Sequence, residues 1–384
     1  MLTPYTLQMP KLIYGGENAL AQMSGILKPV KKAAFFTDKG IVNAGLLKLP
    51  VEQVKKSGKD FVIFDDLAAE PTCEQAQAVV DAFRASGADF IIAVGGGSVM
   101  DTAKLASVLA TGEYGIRELL EHPEMARKGV RTLMIPTTAG TGSEATPNAI
   151  VAVPEKELKV GIVSGEMVAD YVILDAEMIR NLPRRIAAAT GVDALCHAIE
   201  CYTSRRSNPF SDLFALEALD LILNHMEKAC DDKDAMAEKN CMQRASFYAG
   251  AAITASGTTA VHALSYPLGG KYHIAHGVSN AMLLMPVMRF NEPACKEKYA
   301  DIYDRCVHGE KTCKTVEEKS AYLLEWLERI VRHLEIPVSL REFGVPAEDL
   351  DGLVAAGMEV TRLLVNNMRE VEPKDAREIY KQVL

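Results

Sequence analysis

The chain has 384 residues, of which 48% are hydrophobic and 24% charged, and its formal net charge is -9. This composition is typical of a globular protein and excludes a low-complexity or disordered chain. The acidic balance argues against nucleic acid as a partner, because a phosphate backbone would be repelled. No segment reaches the roughly 20 uninterrupted apolar residues of a membrane-spanning helix, so we expect a cytoplasmic protein without a membrane partner. Eight scattered cysteines without a C-x-x-C pair are expected to be reduced thiols.

Short apolar and β-branched runs alternate with helical stretches through the first half of the chain. This rhythm predicts βαβ units that form a parallel sheet flanked by helices. The predicted strands are AAFFTD at 33–38, FVIFD at 61–65, DFIIAV at 89–94, TLMIP at 132–136, NAIVAV from Asn148 and YVILD from Tyr171.

The spacing of apolar residues along the sequence changes at Pro183. Beyond it the strand-like runs vanish, and apolar residues recur at three- and four-residue spacing, which predicts helices only. Examples are RRIAAATGVDALCHAIECYTS, FSDLFALEALDLILNHMEKAC and AYLLEWLERIVRHLE. We therefore expect two domains: an α/β domain over 1–182 and an all-helical domain over 183–384.

A glycine turn, Gly95 to Gly97, follows the predicted strand DFIIAV and precedes an amphipathic helix. Glycine lets the backbone approach a phosphate closely and present its N–H groups to it. Ser98 and Asp101 have the spacing of a capping box, which would start the helix there and direct its positive dipole end at the turn. The alternative is a turn that needs glycine for its geometry alone.

Two further features favour a dinucleotide. The polar stretch PTTAGTGSEAT follows the predicted strand TLMIP, and cofactors of open α/β sheets bind outside the carboxyl ends of the strands. Asp38 ends another predicted strand, where its carboxylate could accept the ribose hydroxyls of NAD and repel the additional phosphate of NADP. The alternative is an ordinary turn-initiating aspartate.

Four of the eight histidines lie in two segments of the helical half. Asp193 and His197 are four residues apart and so share one helix face, although such a pair can also be a helix-stabilising hydrogen bond. His262, His273 and His276 follow within fifteen residues, around a Pro-Gly break expected to turn the chain back. A buried aspartate beside several imidazoles needs a compensating charge, which a divalent cation provides. Three imidazoles and one carboxylate suit Fe(II), Zn(II) or similar ions.

Four segments of the chain, taken in this order, resemble the motifs of a known protein family: GGGSVMDTAK, PTTAGTGSE, GVDALCHAIE and the segment from His262 to Gly277. The chain resembles the iron-dependent (group III) alcohol dehydrogenase family over nearly its whole length. The resemblance implies a dinucleotide-binding α/β domain, a helical domain and an active site in the cleft between them. It places the four metal ligands at Asp193, His197, His262 and His276, and the ribose-facing acid at Asp38. The other cofactor-contacting positions that it implies are Gly96, Gly97, Ser98, Thr137, Thr138, Thr141, Ser143, Asn148 and Lys159.

The chain departs from this family after the third implied ligand. Many members have HAxAHPLG, whose second histidine is assigned to proton relay, whereas this chain reads HALSYPLG and has Tyr266 there. Since an ordinary tyrosine titrates near 10, it is a weaker acid than histidine at neutral pH. Water, a ribose hydroxyl of the cofactor or His273 is the alternative relay.

The resulting hypothesis is a metal-dependent alcohol dehydrogenase or aldehyde reductase. It would transfer a hydride between NAD(H) and a small alcohol or carbonyl compound, with Fe²⁺ or Zn²⁺ polarising the oxygen. A homo-oligomer of two or more subunits is implied by the resemblance. Two alternatives stay open: a zinc-dependent relative similar to glycerol dehydrogenase or dehydroquinate synthase, and a protein that binds nucleotide and metal without catalysis.

Overall fold

The structure is a computed structural model that describes residues 4–156 and 158–384, and only the backbone of residues 156 and 158. These residues divide into two units. One is Gln8–Leu182, and the other is Pro183–Leu384 together with the described residues before Gln8. The division falls at Pro183, where the strand-like runs of the sequence end.

A six-stranded parallel sheet forms the centre of the unit Gln8–Leu182. Its strands are short apolar runs, and Phe90–Gly95 is buried along its whole length, as expected where helices cover both faces of a parallel sheet. The strands of this unit are β1 (Leu12–Gly15), β2 (Lys32–Phe36), β3 (Asp60–Phe64), β4 (Phe90–Gly95), β5 (Arg131–Pro136), β6 (Asn148–Val153), β7 (Leu158–Val163) and β8 (Tyr171–Leu174).

The strand order of the sheet is β1-β8-β5-β4-β2-β3. From β2 the chain moves outward to β3 and then returns to the other side of β2 to form β4, so the order reverses between β2 and β4. Ligands of open α/β sheets bind at such a switch point, outside the carboxyl ends of the strands. In this chain the carboxyl end of β2 leads into Asp38, and that of β4 leads into the glycine turn, Gly95–Gly97.

The predicted strands of this unit are confirmed, and the structure adds two that were not predicted. β1 has only four residues, and β7 (LKVGIV) contains a lysine and a glycine, so neither has a clear apolar run. β6 and β7 form a separate antiparallel hairpin. The hairpin is joined to the rest of the unit by the Ala152 N–H, which donates to the Pro71 carbonyl at 2.9 Å.

Helices cover the sheet, and an apolar cluster lies between them and strands β2, β4 and β5. α4 shows why helices form here: Thr72 and Gln75 cap its start reciprocally, and Gly87 ends it at φ 67°. The α-helices are α1 (Met23–Ile26), α2 (Lys39–Asn43), α3 (Lys48–Lys56), α4 (Cys73–Ser86), α5 (Gly97–Val108) and α6 (Ile116–Glu121). Short 3₁₀ helices are Ala19–Gln22, Pro123–Met125, Ser143–Ala145, Pro154–Lys156, Gly165–Met167 and Ala176–Ile179.

The predicted capping box at the start of α5 is wrong. The helix begins at Gly97 with Gly96 as its N-cap, so Ser98 lies inside the first turn. Ser98 donates its hydroxyl to the Ala69 carbonyl. The carboxylate of Asp101 accepts from the Ile150 N–H at 3.0 Å, a partner outside the helix. Both side chains therefore have tertiary partners that local sequence spacing does not reveal.

The second unit is helical, as predicted, with one isolated bridge between Ser204 and Asn367. α7 is buried on all sides from Gly191 to Tyr202, which makes it the central helix of this unit. The α-helices are α7 (Arg184–Tyr202), α8 (Pro209–Asp231), α9 (Met236–Ala255), α10 (Ala260–Tyr272), α11 (His276–Cys306), α12 (Val316–His333), α13 (Leu350–Met358), α14 (Thr361–Leu364) and α15 (Pro373–Lys381), and the 3₁₀ helices are Leu340–Phe343 and Ala347–Asp349. Among the described residues, no helix combines the length and apolar character that crossing a membrane requires.

The expected Pro-Gly break between His262 and His276 is also wrong. α10 continues through the buried Pro267 to Tyr272, and the chain turns at His273, whose φ is 54°. Proline removes one helical N–H, but tertiary packing can outweigh that cost. The turn therefore comes six residues later than the proline.

Candidate active site

Three helices carry the predicted metal ligands. Asp193 and His197 lie one turn apart on α7, His262 lies in the first turn of α10, and His276 is the first residue of α11. One ligand atom from each of the four side chains lies within 4.8 Å of the others. The structure thus brings all four predicted residues to one point inside the helical unit.

The spacing of the four side chains matches a single cation. Asp193 Oδ1 is 3.5 Å from His276 Nε2, 3.6 Å from His262 Nε2 and 3.9 Å from His197 Nε2. Two ligands of a tetrahedral ion with bonds of about 2.1 Å are roughly 3.4 Å apart. The His197 and His262 rings are stacked with centroids 4.5 Å apart, which directs both rings to the same side.

Glycine permits the close approach of α11 to α7 that the cluster needs. A Cβ at Gly277 would overlap the backbone oxygen of Ala189. Backbone atoms cannot move aside as a flexible side chain can, so a larger residue would displace the start of α11. His276 is the neighbouring residue, and its position relative to Asp193 therefore depends on this glycine.

Three of the four side chains in the cluster are buried, and the fourth is partly exposed. The side chains of Asp193, His197 and His262 are 3%, 7% and 2% exposed, whereas that of His276 is 34% exposed. Burial by itself would raise the pKa of Asp193, but the neighbouring His197, His276 and His262 together lower it. The carboxylate is therefore ionised in a site that also has an accessible side.

A second buried carboxylate, Glu200, lies beside His262. It is 0% exposed, and its Oε2 contacts His262 Nδ1. Burial would raise the pKa of Glu200, but His262 lowers it; burial would lower the pKa of His262, but Glu200 and Asp193 raise it to about 9. Two buried negative charges thus favour positive charge among the three imidazoles.

The amide of Asn280 lies where the ligand atoms converge. Its Nδ2 is 2.7 Å from Asp193 Oδ1, 3.1 Å from His262 Nε2 and 3.3 Å from His276 Nε2. Its Oδ1 is buried and has no hydrogen-bond partner among the described residues. An anionic oxygen and imidazole nitrogens around an amide donor form an acceptor-rich pocket, and this donor set fits a divalent cation.

The glycine turn and the loop of residues 137–146, here called the threonine-rich loop, meet at the carboxyl ends of β4 and β5. The Thr137 N–H donates to the Gly95 carbonyl at 3.0 Å, and a Cβ at Gly97 would lie 3.0 Å from Thr141 Cγ2. A Cβ at Gly96 would similarly face Thr138. Gly96 has no side chain with which to cap the first N–H groups of α5. These N–H groups and the glycine surface fit a phosphate.

Beneath these loops lies a buried ionic network. Lys104 Nζ donates to Ser143 Oγ and the Asn148 carbonyl at 2.7 Å, and it is 3.3 Å from Asp101 Oδ1. Ser143 Oγ in turn donates to Asp101 at 2.6 Å. Asp101, predicted in the capping box beside the glycine turn, and Ser143, predicted at the cofactor, therefore join α5 to the threonine-rich loop. Lys104 was not predicted.

Asp38 and Lys159 have other partners in the structure. Asp38 is the N-cap of α2, and its Oδ1 accepts from the Ile41 N–H at 2.9 Å. Asp38 therefore has a local structural role as a helix cap, and this hydrogen bond uses only Oδ1. Lys159 is in β7, where its ammonium group pairs with Glu70 at 2.5 Å.

The two residues predicted for proton relay differ in their placement. The ring of Tyr266 is 6.1 Å from that of His276, and its hydroxyl oxygen accepts from Arg362 at 3.4 Å. Burial raises the pKa of Tyr266, and Arg362 partly offsets this effect, so its phenol is a weaker acid than an ordinary tyrosine. His273 is exposed at the end of α10 and is outside the four-residue cluster.

Comparisons with known proteins agree along the chain. A family model described as iron-containing alcohol dehydrogenase matches residues 10–176, and one described as Fe-containing alcohol dehydrogenase family, C-terminal, matches 187–384. Long-chain-alcohol dehydrogenase 1 of Geobacillus thermodenitrificans is 34% identical over 377 residues, which cover 97% of this chain and 95% of that protein. The chain belongs to the iron-containing alcohol dehydrogenase family.

Other members of the iron-containing alcohol dehydrogenase family support the same assignment. Lactaldehyde reductase of Escherichia coli K12 is 33% identical over 353 residues, covering 91% of each chain. The crystal structure of a 1,3-propanediol oxidoreductase superposes with a TM-score of 0.92 at 29% identity and covers both chains fully. The predicted family, fold and enzyme class are confirmed: the protein is an oxidoreductase of the alcohol dehydrogenase and aldehyde reductase class, and its family uses a metal and NAD(H).

Several residues of this alcohol dehydrogenase were missed in the sequence. Glu200 is three residues after His197, so helical spacing already places it on the same face of α7. Asn280 bears the same i,i+4 relation to His276 on α11. Thr37 directly follows β2 and has a buried hydroxyl without a partner among the described residues, as Thr137 does after β5. The strand-end position of Thr37, immediately before Asp38, was the available signal.

Proposed function

We propose that this alcohol dehydrogenase interconverts small alcohols and their aldehydes or ketones, with NAD(H) as hydride carrier and Fe²⁺ as the metal. The observation that carries this proposal is the convergence of Asp193, His197, His262 and His276 on one point. Their donor atoms match a divalent cation in type and spacing. When bound, the cation supplies Lewis-acid polarisation of the substrate oxygen.

The four side chains have distinct tasks in this proposal. Asp193 provides the negative charge that balances the cation, and the three neighbouring imidazoles keep it ionised despite its burial. His197 and His262 are fixed by ring stacking and by helix packing. His276 lies on the exposed side of the cluster, so we assign the approach of the substrate to that side.

Binding of NAD(H) is assigned to the carboxyl edge of the parallel sheet. Gly95–Gly97 and Ser98 present backbone N–H groups to the pyrophosphate, with Thr137, Thr138 and Thr141 along the facing loop. Asp38 would accept the ribose hydroxyls through its Oδ2, which favours NAD over NADP. Lys104 supports these loops from beneath through its contacts with Asp101, Ser143 and the Asn148 carbonyl. Lys159 is assigned to the same side of the unit.

Proton transfer is assigned to Tyr266 and His273. Burial raises the pKa of Tyr266, which suits a hydroxyl that keeps its proton and donates a hydrogen bond to the reacting oxygen, while His273 lies exposed at the end of α10. Tyr266→Phe and His273→Ala should then each lower kcat several-fold. Pre-steady-state solvent isotope effects on both variants test this assignment.

We further propose a cytoplasmic homo-oligomer of two or more subunits that has no nucleic-acid or membrane partner. All eight cysteines are free thiols, which is typical of a reducing compartment. The edge strand β1 exposes Leu12 and Ile13 by 47% and 38%, an apolar edge that a second subunit would cover. Light scattering coupled to size exclusion measures the subunit number.

Metal analysis of anaerobically purified protein, combined with an NADH-oxidation screen over short aldehydes and ketones, tests the proposed function. We expect about one iron per chain and aldehyde-dependent turnover, and His262→Ala should lose both. Tight zinc with no aldehyde reduction would favour a glycerol dehydrogenase-like or dehydroquinate synthase-like activity. NADH binding without turnover by iron-loaded protein would favour a non-catalytic role, and full activity of a metal-free His262→Ala variant would refute the proposal.

A further inference from the structure

Glu200 is a buried carboxylate whose two oxygens have separate sets of partners. It lies on α7 one turn beyond His197 and is 0% exposed. Oε2 contacts the ring of His262, and Oε1 contacts the start of α10. Since both oxygens are already engaged, Glu200 is not a further member of the four-residue cluster.

The contact of Oε2 defines which nitrogen of His262 is protonated. A carboxylate oxygen only accepts, so Nδ1 of the ring must carry the hydrogen that it donates to Glu200. Nε2 is then the nitrogen left to offer a lone pair to a cation, and this atom is 3.6 Å from Asp193 Oδ1, on the side where the ligand atoms converge. The tautomer and the ring orientation are thus those that a metal ligand requires.

The contacts of Oε1 fix the helix that carries the same histidine. Oε1 accepts from the Thr259 hydroxyl at 2.8 Å, from the Thr259 N–H at 3.0 Å and from the Val261 N–H at 2.8 Å. The N-cap residue of α10, Thr259, provides no cap with its own side chain. Glu200 therefore caps α10 from the neighbouring helix, where negative charge is favoured.

We propose that Glu200 is the positioning residue that sets the metal affinity of this enzyme. One carboxylate fixes both the position of α10 and the tautomer of His262, so the nitrogen lone pair is directed before the cation arrives. The inference rests on the proposed metal site, and it assigns to that site a residue that does not touch the metal. A carboxylate that served only as a helix cap would affect folding but not metal affinity.

Glu200→Gln tests the proposal because glutamine has nearly the same shape but lacks the charge. Its amide nitrogen donates, so one of the two partner sets loses its acceptor. In full-length protein we expect Zn²⁺ and Co²⁺ affinity, measured by competition with a chromophoric chelator, to fall about 10- to 100-fold. The visible absorption of the Co²⁺-loaded variant should also change, because the His262 ligand is no longer fixed.

Thr259→Val is the matched control. It removes one donor to Oε1 at a buried position and leaves the contact between Glu200 and His262 intact. We expect this variant to lose thermal stability while its metal affinity stays within about twofold of the wild type. A loss of affinity in both variants that tracks their loss of stability would overturn the proposal, because the role of Glu200 would then be structural.

The remaining outcomes separate this proposal from the proposed function. If wild-type protein binds neither ion, the proposed metal site fails. If it binds metal and folded Glu200→Gln binds it equally well, only the role of Glu200 fails. Should Glu200→Gln not fold, Zn²⁺-loaded wild-type protein with ¹⁵N-labelled histidine supplies the test: we expect a protonated Nδ1 on His262, and a bare Nδ1 would overturn the proposal.

Discussion

Glu144 predicts an unusual dependence of stability on pH. This residue lies in the threonine-rich loop, is 1% exposed, and neither of its carboxylate oxygens has a hydrogen-bond partner among the described residues. Burial raises the pKa of Glu144 from 4.5 to about 7, although its own backbone N–H and the charge of Lys104 act in the opposite direction. The folded protein therefore binds this proton more tightly than the unfolded chain does.

The sign and the size of the effect follow from this difference. Below about pH 4.5 the carboxyl group is protonated in both states, and it contributes no pH dependence. As the pH rises to about 7, only the unfolded chain can release the proton freely, so the free energy of unfolding falls. At about 1.4 kcal/mol per pKa unit, the loss is about 3 kcal/mol.

Glu144→Gln removes the titration and keeps the shape of the side chain. We expect the difference in unfolding free energy between this variant and the wild type to grow by about 2–3 kcal/mol in favour of the variant from pH 5 to pH 8. Urea unfolding followed by circular dichroism, without NADH, measures it at both pH values. The exposed Glu121→Gln is the control and should show no such growth. A difference for Glu144→Gln that is independent of pH would refute the reasoning.

Three further predictions concern the loops and the metal cluster. Lys104→Met should lower the free energy of unfolding by about 3–5 kcal/mol, because it leaves Asp101 buried without its cation. In the same urea assay, adding Asp101→Asn should restore at least half of that loss. Asp38→Ser keeps a side chain that caps α2 but removes the negative charge. The ratio of kcat/KM with NADPH to kcat/KM with NADH should therefore rise roughly tenfold or more. An unchanged ratio would argue against the ribose contact. Gly277→Ala should lower the free energy of unfolding by about 1–3 kcal/mol, because the added Cβ overlaps the backbone of Ala189. The variant should also retain less metal after treatment with a chelator. Full retention would show that α11 can move without loss of the cluster.

Much of the α/β unit could be predicted because its strands are short apolar runs that end in glycine or polar residues. β4 is the clearest case, since its buried run leads directly into Gly95–Gly97. β1 and β7 could not be found in this way. β1 has four residues, and β7 is stabilised by pairing with β6, a tertiary contact that periodicity in one segment does not encode.

The metal cluster was only partly visible in the residue pattern. Helical geometry alone puts Asp193 and His197 on one face, and the structure brings them together. The choice of His262 and His276, rather than His273, as the other two ligands required the family resemblance, because sequence spacing does not show which way α10 and α11 run. His273 illustrates the difference: it lies in the same segment, but the helix continues through Pro267 and leaves this histidine exposed.

Local spacing was misleading where a side chain has a tertiary partner. Ser98 and Asp101 have the spacing of a capping box, yet Asp101 is engaged by Ser143 and Lys104 in a buried network. Glu200 shows the same limit, because nothing in its helical position distinguishes a solvated glutamate from one that caps another helix. Such roles depend on which elements pack together, and they become visible only in the structure.

Binding of one cation by the four-residue cluster is tested most directly by anomalous diffraction at the metal absorption edge. Crystals grown from anaerobically purified protein should show a single strong peak about 2.0–2.2 Å from Asp193, His197, His262 and His276. A peak bound to other side chains, or no peak at this cluster in protein that contains metal in solution, would contradict the account.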